Sequence, residues 1–249
     1  MDHSLVVITL GAVVAGFVQG LSGFAFGMVS MSIWAWTVDP RLAAVLAVFG
    51  GLAGQVIAAV TVRRGFDWRR LAPFVVGGLL GLPLGLWLLP RLDVPVFRAL
   101  LGALLVVWCP VMLMAARLPR VAAGGRFGDG VAGAAGGVLG ALGGFTGAIP
   151  TLWCTLRGFD KDAQRAVIQN FNLTMLAATF AGYLAGGMVT ASMLPMFALV
   201  AAAVLLPVLI GARVYIGLSE AAFRRVVLVL LTLAGVALLA SALPMLWRR

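Results

Sequence analysis

The chain has 249 residues, 63% of them hydrophobic and only 10% charged, with a mean hydropathy of +1.11. A soluble domain carries about 25% charged residues, so a water-soluble fold is excluded. The formal charge of +10 rests on 18 basic residues, but these lie in short loops between apolar runs, where positive charge sets membrane topology; with no arginine-rich tail or nucleic-acid motif, no nucleic-acid partner is expected.

The N-terminal stretch MDHSLVVITL has no Lys or Arg ahead of its apolar run, unlike a secretory signal, so the first segment reads as retained. The first uncharged run, Leu5 to Val38, is 34 residues long. One membrane helix needs about 20 apolar residues and two need about 40. Its middle, GFVQGLSGFAFGM, is rich in glycine, which costs a helix interior about 1 kcal/mol per residue against alanine. Runs of single-span length follow at Leu42–Val62, Leu71–Pro90 and Ala99–Ala116. After the arginine-bearing linker comes Gly130–Leu156, 27 residues and again glycine-rich. Ala166–Ala212 spans 47 residues and holds two spans with a turn at Gly186–Ser192, and Val226–Trp247 closes the chain.

Counting eight simple spans puts nine basic residues on each side of the membrane, which is no bias at all. If the two long glycine-rich runs each enter and return to one side, the partition becomes 13 inside against 5 outside. Cytoplasmic excess of Lys and Arg is the physical expectation, so the runs read as helical hairpins and the N-terminus moves outside. The expected fold is all-α and polytopic: two inverted repeats, each a glycine-rich helical hairpin plus three transmembrane helices. The first repeat covers 1–116, a cytoplasmic linker 117–128 and the second repeat 129–249, in one membrane domain. Internal matches support a duplication. Gly16, Gly20, Gly23 and Gly27 fall 120 residues before Gly136, Gly140, Gly143 and Gly147, and GLWLLPRLDVPVFR aligns with GARVYIGLSEAAFR at an offset of 126.

The openings GFVQGLSGFAFGMVSMSIWAW and GGVLGALGGFTGAIPTLWCTLRGFDKDAQRAVIQNFN, with the closing segments VFRALLGALLVV and AFRRVVLVLLTL, resemble the sulfite exporter TauE/SafE family of membrane permeases over nearly the whole chain. The resemblance implies transport of small, often sulfur-containing anions such as sulfite and sulfonates, commonly outward, across an inner membrane.

Physically, such an anion needs donors rather than a buried cation. Backbone N–H groups at a helix N-terminus supply them, and irregular backbone at membrane depth is tolerated where it is buried or lines a cavity. The candidate substrate-binding residues are therefore those of two turns: Gln19, Gly20, Ser22, Gly23 and Gly27 in the first, and Gly143, Gly144, Thr146 and Gly147 in the second. Trp153 follows the second turn as a candidate wall. The amides of AVIQNFNLTM add Asn170 and Asn172. Gln169 and Asn172 share one helical face and Asn170 and Thr174 another, with Gln55 the comparable polar residue of the first half. The plain alternative is that the glycines only permit tight helix packing and the amides bond neighbouring helices. Most of the seven tryptophans read as interfacial anchors.

Cys109 and Cys154 lie in apolar runs with no metal spacing, and His3 is terminal. No cofactor, metal or enzymatic activity is expected. The expected partners are a small anion and the lipid bilayer, and a homodimer is compatible with the sequence without being established by it. A passive anion channel and an importing permease for another small organic anion stand as the alternatives.

Overall fold

The computed structural model describes residues 3–61, 65–115, 118–121, 123–214 and 220–247, without the side chains of 3, 61, 214 and 220–224. Arg63, Arg64, Arg117, Arg248 and Arg249, all part of the charge count, lie outside the described residues. So do the side chains of Phe223 and Arg224 in the second internal match.

Ten α-helices run in chain order among the described residues: α1 (His3–Ser22), α2 (Phe26–Trp34), α3 (Pro40–Thr61), α4 (Trp68–Leu88), α5 (Val94–Met114), α6 (Gly125–Gly143), α7 (Ala148–Leu156), α8 (Lys161–Ala185), α9 (Leu194–Val214) and α10 (Glu220–Trp247). The first four N–H groups of a helix have no internal partner, and an Asp at the N-cap satisfies some of them. Asp39, Asp67, Asp93 and Asp160 do this at α3, α4, α5 and α8. Half of the eight acidic residues thus start helices at their ends. The order of lengths, one long helix, a nine-residue helix, then three long ones, occurs twice.

Among the described residues six helices are long and apolar enough to cross a bilayer: α1, α3, α4, α5, α9 and α10. This set differs from the expected spans at one place. The polar α8, with Lys161, Asp162, Arg165 and its amide cluster, gives way to α1. Yet α2 folds back along α1: the Trp34 indole N–H donates to the Val7 carbonyl at 3.2 Å, near the start of α1. The second pair does the same, with the Trp153 indole N–H donating to Asp129 Oδ1 at 2.8 Å. Of the seven tryptophans, Trp36, Trp68, Trp87 and Trp247 are exposed, whereas Trp34 and Trp108 are buried and pack the interior.

Glycines bring the long helices into backbone contact. A Cβ on Gly77 of α4 would lie 1.9 Å from the Gly130 carbonyl oxygen of α6, one on Gly81 2.2 Å from that of Ala134, and one on Gly137 2.1 Å from that of Gly78. The spacing of four residues on α4 and α6 is the small-residue pattern of membrane helix pairs. α1 and α9 meet in the same manner, Gly20 against Val208 and Gly211 against Phe17, and α5 meets α10 through Gly102 and Gly235. α3 also packs on α8. The first helix of each set of five therefore packs on the fourth of the other set, while thirds pack together and fifths pack together.

Two ends of the bundle are defined by loop contacts. At one, Asn170 Nδ2 donates to the Gly65 carbonyl, the Val121 N–H donates to the Leu156 carbonyl, and Arg69, Arg70, Arg126 and Arg157 line one pocket. At the other, Arg98 donates to the carbonyls of Ala35 and Trp36 and Arg41 to that of Pro90.

Candidate functional site

Each short helix starts at a chain break whose corner is a glycine in the left-handed region, Gly23 (φ 82°) after α1 and Gly144 (φ 74°) after α6. Only glycine takes this conformation without strain. Both corners lie within the two turns expected from the sequence, at Gly23 and Gly144, but the breaks are shorter than those turns. Gln19, Gly20, Gly140 and Gly143 are still helical, because Gly20 serves contact with α9 and Gly140 lets the Thr146 side chain approach.

The two breaks meet. A Cβ on Gly27 would lie 2.5 Å from the Gly143 carbonyl oxygen, and one on Gly147 would lie 3.1 Å from Phe24 Cβ. α3 and α8 flank them. Gln19 Nε2 donates to the Gly51 carbonyl of α3 at 2.9 Å, and Gln55 donates to the Gly23 carbonyl. From α8, Gln169 Nε2 lies beside Gly23 and the Asn172 amide beside Gly147. Asn172 is the twelfth residue of α8 and Gly51 the twelfth of α3, so at 1.5 Å per residue both lie roughly 17 Å along helices of about 35 Å. The junction is midway through the bundle. From α5, Trp108 stacks edge-on against Phe24 with centroids 6.1 Å apart and donates to the Ala148 carbonyl at 2.8 Å.

The electrostatics are lopsided. Carbonyls around the breaks receive protein donors: Gln55 on Gly23, Tyr183 Oη on Ala141 at 2.6 Å, and Trp108 on Ala148. Neither N-cap residue, Ala25 of α2 or Gly147 of α7, offers a capping side chain; Ser22 Oγ takes the Ala25 N–H and the Phe145 carbonyl takes the Ala148 N–H. Thr146 Oγ1 donates to Asn172 Oδ1 at 2.8 Å. That bond fixes the amide with its Nδ2 donor buried and without a partner, at a residue only 1% exposed. A buried donor without an acceptor is costly, and here it stands at the start of α7, beside Gly147. The orphan polar groups beside the junction are thus one donor, Asn172 Nδ2, and one acceptor, Gln19 Oε1, and it is the donor that stands at the start of α7, where helix geometry suits a compact anion.

The candidates divide accordingly. Gly23, Gly27, Gly144, Thr146, Gly147 and Asn172 gather at the junction, and Ser22 Oγ accepts from the Phe24 and Ala25 N–H groups within the first break. Gln19 braces α1 on α3. Gly20 faces α9, and Gly143 lies under the Phe145 ring. Trp153 and Asn170 lie apart from the junction, Trp153 on Asp129 and Asn170 on the carbonyls of Gly65 and Ala166. The sequence reading gave Trp108 and Phe24 no part here, and apolar aromatic patterning offered no signal to find them. Gln169 and Gln55 were visible as polar residues in apolar runs.

Interrupted helices meeting inside an all-helical, multi-pass bundle are the layout of membrane transporters. A family model described as sulfite exporter TauE/SafE matches residues 8–238. The chain belongs to that family, a family of membrane transporters. No curated relative and no solved structure matches the chain.

Proposed function

We propose that this protein is a secondary transporter of small sulfur-containing anions such as sulfite or organosulfonates, acting as an exporter in the inner membrane. The anion sits where the two breaks meet, held by N–H groups opening α2 and by the Asn172 amide at the start of α7. The carrying observation is the unpartnered, buried Nδ2 of Asn172 at the N-terminus of α7, which no side chain caps. The halves 1–116 and 129–249, joined by the cytoplasmic linker 117–128, act as inverted repeats that rock to open the junction to alternate sides. Support comes from the exchanged pairing of α1 with α9 and α4 with α6, and from hairpins whose open ends lie at opposite ends of the bundle. Membership in the sulfite exporter family supports the substrate class and direction.

The test is counterflow with the purified full chain in liposomes. Saturable uptake of labelled sulfite or sulfoacetate, accelerated by the same anion inside, is expected. Flux that never saturates and shows single-channel conductance would instead identify a passive channel.

A further inference from the structure

The arginine-lined pocket at one end of the bundle encloses about 350 Å³ and is bounded by Arg69, Arg70, Arg126, Arg157, Asp129 and Asp160 together with Gly158 and Phe159. Its charges are unequally engaged. Asp129 takes the Trp153 indole and lies 3.7 Å from Arg157. Arg70 is shared between Asp67 at 3.3 Å and Asp160 at 4.0 Å. Arg69 and Arg126 form no ion pair among the described residues. Four guanidinium groups line the pocket with two carboxylates, and even with Asp67 counted beside Arg70 the cluster keeps a positive surplus.

Arg126 also closes one end of a second cavity, a groove of about 490 Å³ on the outside of the bundle between α4 and α6. The groove exists because Gly77 and Gly130 hold the two helices in backbone contact. Its rims are apolar and exposed: Val76 at 57%, Leu80 at 76%, Phe127 at 82% and Val131 at 54%. From Ala72 to Leu80 it runs roughly 12 Å along a membrane-crossing helix, at 1.5 Å per residue. A cationic pocket with surplus charge thus opens through one shared arginine onto an apolar channel facing the acyl chains. Basic pockets beside membrane helices hold anionic lipid head groups.

From this continuity we infer that an anionic phospholipid binds here, its phosphate on Arg69 and Arg126 and an acyl chain in the α4–α6 groove. The site is separate from the helix-break junction and does not depend on what is transported. A bound lipid would bridge the start of α6, the start of α4 and the loop from α7 to α8.

The test uses the purified full chain and native mass spectrometry with phosphatidylglycerol and phosphatidylcholine of matched acyl chains. Wild type is expected to prefer phosphatidylglycerol, and Arg69→Gln/Arg126→Gln to weaken that preference roughly thirtyfold, from the worth of two interfacial arginines. Val76→Trp, on an exposed rim, is expected to weaken retention of intact lipid. Glycerol 3-phosphate, the head group without chains, is expected to compete poorly. Equal binding of the two lipids by wild type overturns the proposal whether or not the variants fold. So does an unchanged preference in the double variant, or competition by glycerol 3-phosphate as effective as intact lipid, which would mark a site for free anions.

Discussion

Gly27 and Gly130 are both helical glycines, and a methyl group separates their roles. A Cβ on Gly27 would sit 2.5 Å from a backbone oxygen of the opposite break, which cannot swing aside. A Cβ on Gly130 would meet only the Pro73 carbonyl oxygen at 3.7 Å, an ordinary contact. Gly27→Ala is therefore expected to destabilise by about 1–3 kcal/mol, the scale of overpacking, and to lower the thermal midpoint of the purified protein. Gly130→Ala is expected to be neutral or stabilising by up to about 1 kcal/mol, from helix propensity. The reverse order of midpoints would show that the two breaks do not touch. Legibility at this scale was partial. The two faces of AVIQNFNLTM could be read from spacing, Gln169 with Asn172 and Asn170 with Thr174. Which face turned inward could not, because that depends on α8 meeting α3 and α4. The buried face proves to be Gln169 and Asn172, while Asn170 and Thr174 bond to carbonyls of their own helix four residues back.

α7 brings the chain back to the end of the bundle where α6 begins. Eight simple spans would put Arg126 and Arg157 on opposite sides, yet the two line the same pocket with Arg69 and Arg70. Charge counting could see this because loop arginines report sides directly. It could not see where the helices break, since most glycines in GFVQGLSGFAFGM and GGVLGALGGFTG serve close helix contacts, and only Gly23 and Gly144 take the left-handed corner. α6 also begins at Gly125, five residues before the uncharged run. Its charged first turns are tolerated because Arg126 is exposed and Asp129 is bonded by Trp153. Single cysteines replacing Arg126 and Phe159 are expected to react with a membrane-impermeant maleimide from one side, and one replacing Val94 from the other. The native Cys109 and Cys154 are buried and should stay silent. Labelling of the Phe159 and Val94 positions from the same side would break the hairpin.

In the whole molecule, α1, α2, α3, α5, α6, α7 and α8 supply one polar junction that contains no ionisable side chain among its described residues. Asp129, the one charged residue among the described buried polar side chains, lies instead at the open end of the second hairpin. Sequence made the presence of the two helix breaks legible, because each falls within a glycine-rich run of the chain. The exchange of partners between α1–α9 and α4–α6 was not legible, because helix pairing is written in small residues that look alike everywhere. The case for an anion rests on placement: the carbonyls of Gly23, Ala141 and Ala148 are met by Gln55, Tyr183 and Trp108, and the unpartnered Asn172 Nδ2 stands at the start of α7, while the unpartnered acceptor Gln19 Oε1 lies on the α3 side. The most direct measurement is equilibrium binding of labelled sulfite and sulfoacetate to the purified full chain, wild type against Asn172→Leu, with thermal unfolding as the control for folding. Loss of one hydrogen bond to a charged ligand predicts affinity lower by roughly ten- to a hundredfold in the folded variant. Binding by the variant within about twofold of wild type, less than half a kcal/mol on the same scale, would place the anion elsewhere and contradict the assignment of the junction.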